Sequence, residues 1–402
     1  MEFFGSGFVF GELLLAKRIL SDRLKASLIL HPIIMSGNLE NTIRCGMSSV
    51  VEEDALFKDK PNLLRKRCLR IRHASSSCVA CVEACQSQAL SILNNQPILK
   101  PSACSGCGAC ENVCPTEAIR MESPSQEEIF ERFKNALNPN KISFACRQAS
   151  SEASSISVGC FARVNPGLLL LAKAAGTKYI ELISGKCETC LLNNRDNPTK
   201  TLCRKTQGLS ALAGVSIDIS IKIKESELNL GRRRFLGAFL EKARTVENLS
   251  KDSAVDDCPQ RDEWKRIPDA HLRLITALRI LSLKNPGTRS SEEKVFCLPE
   301  IEPAKCSGCL LCVSVCPTGC FVTEKHNENM HILANTSACT GCSLCVDICY
   351  SGACRVSKAV SLKELVDSKN KLLAEIPVNP KLFSEEAEDK IARMFNAPIY
   401  RS

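Results

Sequence analysis

Cysteine recurs in this chain at a spacing that suits one kind of chemistry. Four segments, Ser75 to Leu90, Cys104 to Ile119, Cys306 to Phe321 and Cys339 to Cys354, align on the register C-x2-C-x2-C-x3-C. Three closely spaced thiolates wrap a short loop around one metal body, and the fourth reaches away from it. Thiolates select soft metals, and this register is the one that holds four-iron clusters. When two repeats pair, the fourth cysteine of each completes the set of the other, so the two form one unit.

The repeats fall into two such pairs, and the C-terminal pair is complete. Cys306, Cys309 and Cys312 with Cys349 are expected to hold one 4Fe-4S cluster, and Cys339, Cys342 and Cys345 with Cys316 another. Zinc also binds thiolates, but eight cysteines in this register favour clusters. In the N-terminal pair, Cys104, Cys107 and Cys110 with Cys85 make one set. The other has Cys78, Cys81 and Cys114, with Ser75 where the first cysteine belongs. Cys68, just after a basic run, is the expected fourth ligand. The alternatives are a three-iron cluster or ligation by the Ser75 oxygen, a harder donor than thiolate. Four 4Fe-4S clusters are therefore expected. Cys45, Cys258, Cys297, Cys320 and Cys354 read as small buried hydrophobes.

Between the pairs lie Cys146, Cys160, Cys187, Cys190 and Cys203. Lys141 to Cys146, Ile156 to Cys160, Lys178 to Ser184 and Val215 to Ile223 read as strands. Pro166 to Ala175 and Cys203 to Ala213 read as helices, the first with proline at its start and Gly176 beyond its end. Alternation of this kind implies a parallel sheet. Its strand ends would gather Cys146, Cys160, Cys187 and Cys190 at one edge, where α/β proteins place their ligands. Four thiolates there suit a 2Fe-2S cluster or zinc; unligated buried cysteines are the plainer reading.

The expected architecture is thus α+β with an α/β middle domain. Residues 1–60 form an uncertain N-terminal extension, 61–125 a two-cluster domain and 136–230 the α/β cysteine-containing domain. Residues 231–295 read as a helical connector, 296–358 as the second two-cluster domain and 359–402 as a helical tail broken at Pro377 and Pro380. Residues 1–46 need not belong to the natural product, since Met47 is a sensible alternative start.

The repeats resemble those of bacterial two-cluster ferredoxins. The runs Phe144-Ala-Cys146, Val158-Gly-Cys160-Phe-Ala-Arg163-Val and Gly185-Lys-Cys187-Glu-Thr-Cys190 resemble the delta subunit of methyl-viologen-reducing hydrogenase, which links hydrogenase to heterodisulfide reductase. That resemblance implies a two-iron cluster on the middle cysteines.

With 26 Cys, no basic start before the apolar residues of Met1 to Phe10, and no long apolar run, the chain is expected to be cytoplasmic, where thiols stay reduced. Its charge of +9 is modest, and no mixing of basic and aromatic residues suggests nucleic acid. The basic run Arg65, Lys66, Arg67, Arg70 and Arg72 is either a solvated face, a counter-charge to a cluster or a dock for an acidic partner. The expected function is to pass single electrons between redox partners of the hydrogenase, heterodisulfide reductase-like or molybdenum oxidoreductase class. The alternatives are a thiol- or disulfide-reducing subunit, with Cys203 as the reactive thiol, and a redox sensor, which needs one cluster and not four.

Overall fold

Loops that must wind around cysteines leave little sequence for long elements, and the secondary structure is correspondingly short. The computed structural model describes residues 60–149, 154–190, 197–224, 265–285, 294–367 and 369–377, all in one unit, Phe57–Ser402. The expected N-terminal extension, the connector up to residue 264 and the tail beyond residue 377 lie outside the described residues.

The N-terminal pair is framed by β1 (Pro61–Leu63), β2 (Leu90–Leu93), β3 (Gln96–Leu99) and β4 (Ile119–Met121). β1 lies antiparallel to β4, and β2 to β3. The β2–β3 turn is Asn94-Asn95, both at positive φ, which suits a two-residue hairpin. Helices α1 (Leu69–Arg72), α2 (Ala80–Glu83) and α3 (Ala109–Val113) are too short to be stable alone. They are held by a core of Leu63, Ala89, Leu90, Leu99, Ala118 and Ile119, into which Cys68, Cys81 and Cys110 are packed.

Helix α4 (Gln126–Ala136) leads onward, started by a capping box of Ser125 and Glu128. The middle sheet follows with β5 (Lys141–Cys146), β6 (Ile156–Gly159), β7 (Tyr179–Ser184) and β8 (Asp218–Ile223). Its order is β6-β5-β7-β8, with every pairing parallel. Helix α5 (Pro166–Ala174) is capped by Asn165, and α6 (Pro198–Leu212) by Asn197. The second begins five residues before the expected Cys203, because Asn197-Pro198 is an N-cap followed by a proline at the first helical position.

Helix α7 (Asp269–Lys284) packs on α5. Gly167 permits this closeness: a Cβ there would stand 2.7 Å from the Leu274 nitrogen. The C-terminal pair contains β9 (Lys294–Ile301), α8 (Leu311–Val315), β10 (Phe321–His326), β11 (Asn329–Asn335), α9 (Leu344–Asp347), β12 (Cys354–Ser361), α10 (Leu362–Asp367) and β13 (Asn370–Pro377). β9 pairs with β12, and β10-β11-β13 form an antiparallel sheet.

The last strand corrects the expectation of a helical tail over 359–402. Residues 362–367 are helical, but 370–377 are extended. Ala374 and Ile376 alternate with exposed Glu375 and Pro377, and the open edge of β11 supplies backbone partners. Ladder bonds there outweigh the helical spacing of the leucines.

The middle sheet, α5, α7 and the C-terminal pair share one core that includes Phe144, Leu169, Leu170, Leu278, Val360 and Leu365. Among the described residues no helix is long and apolar enough to cross a membrane.

Candidate metal centres

All four repeats build the same turn around their fourth cysteine. Two residues on stands a hydroxyl, whose oxygen lies near the sulfur: Ser87 at 3.6 Å from Cys85, Thr116 at 3.7 Å from Cys114, Thr318 at 3.5 Å from Cys316 and Ser351 at 3.6 Å from Cys349. The next residue is left-handed in each, as Gln88, Glu117, Gly319 and Gly352. That bend aims the following N–H back at the sulfur. Ala89 N–H donates to Cys85 Sγ at 3.2 Å, Ala118 N–H to Cys114 Sγ at 3.1 Å and Cys320 N–H to Cys316 Sγ at 3.3 Å. Donors aimed at sulfur favour the thiolate, the form that binds metal.

In the N-terminal pair, Cys68, Cys78, Cys81 and Cys114 line one recess, walled by Leu63, Leu69, Pro97 and Ile119. Ser75 does not line it. Cys68 precedes α1, while Thr116 Oγ1 donates to the Arg67 carbonyl at 2.8 Å. Arg70 Nε donates to the Cys78 carbonyl at 2.6 Å. Part of the basic run therefore fastens the ligand loops. Burial pushes the Cys81 thiol up to about 12, and the neighbouring Cys114, Cys78 and Cys68 add to the shift. Cys85, Cys104, Cys107 and Cys110 line a second recess. Burial raises Cys110 well above the ordinary thiol range, with Cys107, Cys104, Cys81 and Cys85 beside it. Four thiols gathered in an apolar recess resist ionisation unless a cation shares the charge. The donor set, four thiols converging on one recess, fits a cluster.

The C-terminal pair groups its cysteines likewise. Cys306 is raised by burial, with Cys309 and Cys349 adjacent. Cys312 is pushed to about 12 by burial, with Cys345, Cys309 and Cys306 around it. Cys342 rises to about 12 for the same first reason, with Cys316, Cys345 and Cys339 close by. Cys320 and Cys354 are buried against this second group. The Cys320 thiol is held protonated by its hydrogen bond to Cys339, which is lowered in turn.

In the middle sheet Cys146 ends β5, Cys160 follows β6, and Cys187 and Cys190 lie in the loop after β7. Gly185 N–H donates to Cys146 Sγ at 3.4 Å, and Cys187 Sγ lies 3.3 Å from Thr199 Oγ1. Burial pushes Cys160 up to about 12, and Cys107, Cys146 and Cys190 add to it. Cys203 is buried on α6 and raised by that burial, which is the wrong direction for a reactive thiol. Among the described residues no three His, Cys, Asp or Glu side chains converge closely enough to hold a single ion. A tetrahedral zinc needs sulfurs within about 4 Å of each other, whereas an iron–sulfur cluster spreads its ligands around a larger body.

Two charged residues join the middle sheet to the N-terminal pair, and cysteine spacing gives no sign of them. Arg163 and Glu111 have side chains only 2% and 5% exposed. Arg163 donates to Glu111 Oε2 from Nε at 3.0 Å and Nη2 at 2.8 Å, while Met121 N–H donates to Glu111 Oε1 at 2.8 Å. Gln126 Nε2 donates to the same Oε2 at 2.8 Å. Arg147 Nη2 donates to the Gly106 carbonyl at 3.1 Å. The one available signal was an ionisable residue beside a cysteine in each run: Glu111 after Cys110, and Arg163 three beyond Cys160.

Comparison with known proteins agrees with the repeats. A 4Fe-4S dicluster domain matches residues 298–350, and a 4Fe-4S binding domain matches residues 97–120. A protein of Archaeoglobus profundus, named for its likeness to the A subunit of heterodisulfide reductase, is 32% identical over 104 residues, which is 26% of this chain and 14% of that protein. The chain thus spans only a small part of that relative's length. No solved structure matches it. The chain carries ferredoxin-type 4Fe-4S domains on both sides of its parallel sheet in sequence, and these domains support a role in iron–sulfur electron transfer.

Proposed function

We propose that the chain passes single electrons between redox partner enzymes through four 4Fe-4S clusters and one further centre. The observation that carries this reading is the gathering of each cysteine set, with two of the sets each lining one recess. The holders would be Cys68, Cys78, Cys81 and Cys114; Cys85, Cys104, Cys107 and Cys110; Cys306, Cys309, Cys312 and Cys349; and Cys316, Cys339, Cys342 and Cys345. Cys146, Cys160, Cys187 and Cys190 would hold a 2Fe-2S cluster or zinc, in keeping with the resemblance to the hydrogenase delta subunit. Such clusters supply one-electron chemistry at potentials set by burial, charge and hydrogen bonds to sulfur. The chain's part is to exclude water, aim N–H groups at sulfur and fix the spacing between sites.

In this reading the working domains are 61–125, 136–230 and 296–358, and the protein is cytoplasmic. A second reading, favoured by the name of the archaeal relative, makes it the iron–sulfur subunit of a heterodisulfide reductase-like or hydrogenase-linked oxidoreductase. A molybdenum oxidoreductase is a further partner class. The test is anaerobic reconstitution of the full chain with iron, sulfide and zinc analysis. The expected content is about 16–18 iron atoms per chain. A preparation dominated by zinc, with little iron, would reject the proposal.

A further inference from the structure

The chain order of the cysteine groups is not their order in space. The middle group follows the N-terminal pair in sequence and precedes the C-terminal pair, so it would be expected to bridge them. The contacts say otherwise. The loop after Cys160 abuts the loop carrying Cys107 and Cys110, through Arg163 on Glu111, Asn112 Nδ2 on the Ala162 carbonyl at 3.1 Å, and Gly108, where a Cβ would stand 2.7 Å from Arg163 Cβ. The two pairs instead meet each other directly.

That meeting has two built contacts. Ser77, the residue before Cys78, donates to Asp347 twice, from N–H to Oδ2 at 2.8 Å and from Oγ to Oδ1 at 2.8 Å. Asp347 lies on α9, two residues beyond Cys345. Beneath this contact Leu69, Val315, Leu344 and Ile348 form a small buried cluster against which Cys78 and Cys342 pack. The second contact is made by the start of α7. Arg266 Nη2 pairs with Glu117 Oε2 at 3.7 Å, and its N–H donates to the Pro317 carbonyl at 2.8 Å. Ala270 N–H donates to Glu117 Oε1 at 3.1 Å. Glu117 follows Cys114 by three residues and Pro317 follows Cys316 directly, so this clasp joins the turns of two crossed ligands.

We propose that Asp347 and Arg266 are positioning residues that lock the two pairs into one row of five cysteine groups. The row runs from the middle group through Cys85/104/107/110, Cys68/78/81/114 and Cys316/339/342/345 to Cys306/309/312/349. The middle group is then one terminus and not a bridge, and the contact of Cys78 with the Cys342 loop is the junction between pairs. This rests on the proposed electron-transfer reading. One electron crosses the junction: the site on one side loses it and the site on the other gains it, with no bond broken and no proton moved. A low-potential one-electron donor supplies it and a one-electron acceptor removes it. Tunnelling falls steeply with separation, so a loosened clasp weakens the coupling without touching any ligand.

The test uses the full chain, reconstituted anaerobically and reduced with dithionite. Two quantities are read: iron and sulfide content, and the microwave-power saturation of the reduced clusters' spin signals. Neighbouring reduced clusters relax one another, so a locked row saturates only at high power. Asp347→Ala combined with Arg266→Ala is expected to lower the half-saturation power several-fold at unchanged iron content. Asp347→Asn keeps one acceptor oxygen and should fall between the two. Unchanged relaxation in the double variant at full iron content overturns the junction while leaving the electron-transfer reading intact. Should the double variant lose iron, Ser77→Ala and Glu117→Gln are read in its place; the first removes the hydroxyl bond to Asp347 and the second the charge opposite Arg266. Little iron in the parent chain overturns the functional reading itself and is seen before any variant is made.

Discussion

The two ferredoxin-type pairs differ at one repeat, and the difference is larger than one missing cysteine. In three repeats the residue before the second cysteine is a left-handed glycine, Gly106, Gly308 or Gly341. The residue after that cysteine is left-handed too: Gly108 at φ 72°, Leu310 at 54° and Ser343 at 60°. In the first repeat these places hold Ser77 and Val79, and Val79 is at φ −129°. A β-branched side chain strongly disfavours the left-handed region. The first repeat has therefore lost its cysteine, its glycine and its turn together. Instead Ser77 contacts Asp347, and Cys68 lines the recess with Cys78, Cys81 and Cys114. Convergence in space and not spacing gathers the four cysteines: one loop meets a neighbour, and a second brings Cys68 to the recess.

The sharpest test of that contrast is at Cys68. Cys68→Ser should convert one four-iron cluster to a three-iron species or lose it, lowering total iron by about one to four atoms per chain. Adding Ser75→Cys to that variant should not restore the signal, because residue 75 does not line the recess. Restoration would mean that the first repeat can still wind in the ordinary way. Unchanged iron in Cys68→Ser alone would remove Cys68 from the set.

A second contrast concerns how each pair is fastened to its surroundings. The N-terminal pair is tied to the middle sheet by the buried Arg163–Glu111 ion pair, whereas the C-terminal pair shares a hydrophobic core with the sheet and its helices. Removing one partner of a buried pair strands a charge. Arg163→Met should therefore cost about 3–5 kcal/mol in denaturant unfolding, and the double variant with Glu111→Leu should recover much of that loss. No recovery would show that the geometry of the joint matters more than its charge. At the same joint, Gly108→Ala forces a Cβ against Arg163 in a left-handed conformation and should cost about 1–3 kcal/mol. The matching change Leu310→Gly relieves a left-handed leucine and should cost less, measured the same way.

Much of this was legible in the cysteines. Their spacing pointed to both pairs, and the alternation of Lys141–Cys146 with Pro166–Ala174 and Tyr179–Ser184 pointed to the parallel sheet. What could not be read was anything decided by contacts distant in sequence. Ser77 and Asp347 are 270 residues apart, and neither carries a motif. Residues 370–377 read as a helix because leucine spacing is ambiguous in a short run, and only the free edge of β11 made them a strand. Nothing in the sequence marked Glu111 and Arg163 as a pair, since burial of an ion pair depends on what packs over it.

The smallest expected effect separates the middle sheet from both pairs. The pairs are expected to need metal to hold their loops, while the sheet is also held by backbone ladders and by the core it shares with α5, α7 and the C-terminal pair. Glu181 on β7 reports on the sheet alone. Its side chain is 4% exposed and pairs with Lys222 and with Lys141, the latter at 2.9 Å, while Ser143 Oγ donates to it at 2.9 Å. The hydrogen bond from Lys222, followed by those from Lys141 and Ser143, outweighs burial and holds the carboxyl at about 2 against an ordinary 4.5. A carboxyl lowered on folding stabilises the native state fully above its unfolded value and loses that contribution as pH falls through its folded one. Both lysines are nearly half exposed, so solvent screening limits the effect to about 1 kcal/mol. Glu181→Gln should thus be less stable than the parent by about that amount near neutral pH. The gap should close between pH 4.5 and about 2. Circular dichroism of chemically denatured samples across that range measures it. The same gap should persist after iron is stripped with a chelator, because Glu181 lies near the start of β7, away from the strand ends that carry cysteine. A gap that vanishes with the metal would show that the sheet, like the pairs, depends on its cysteine site for its fold.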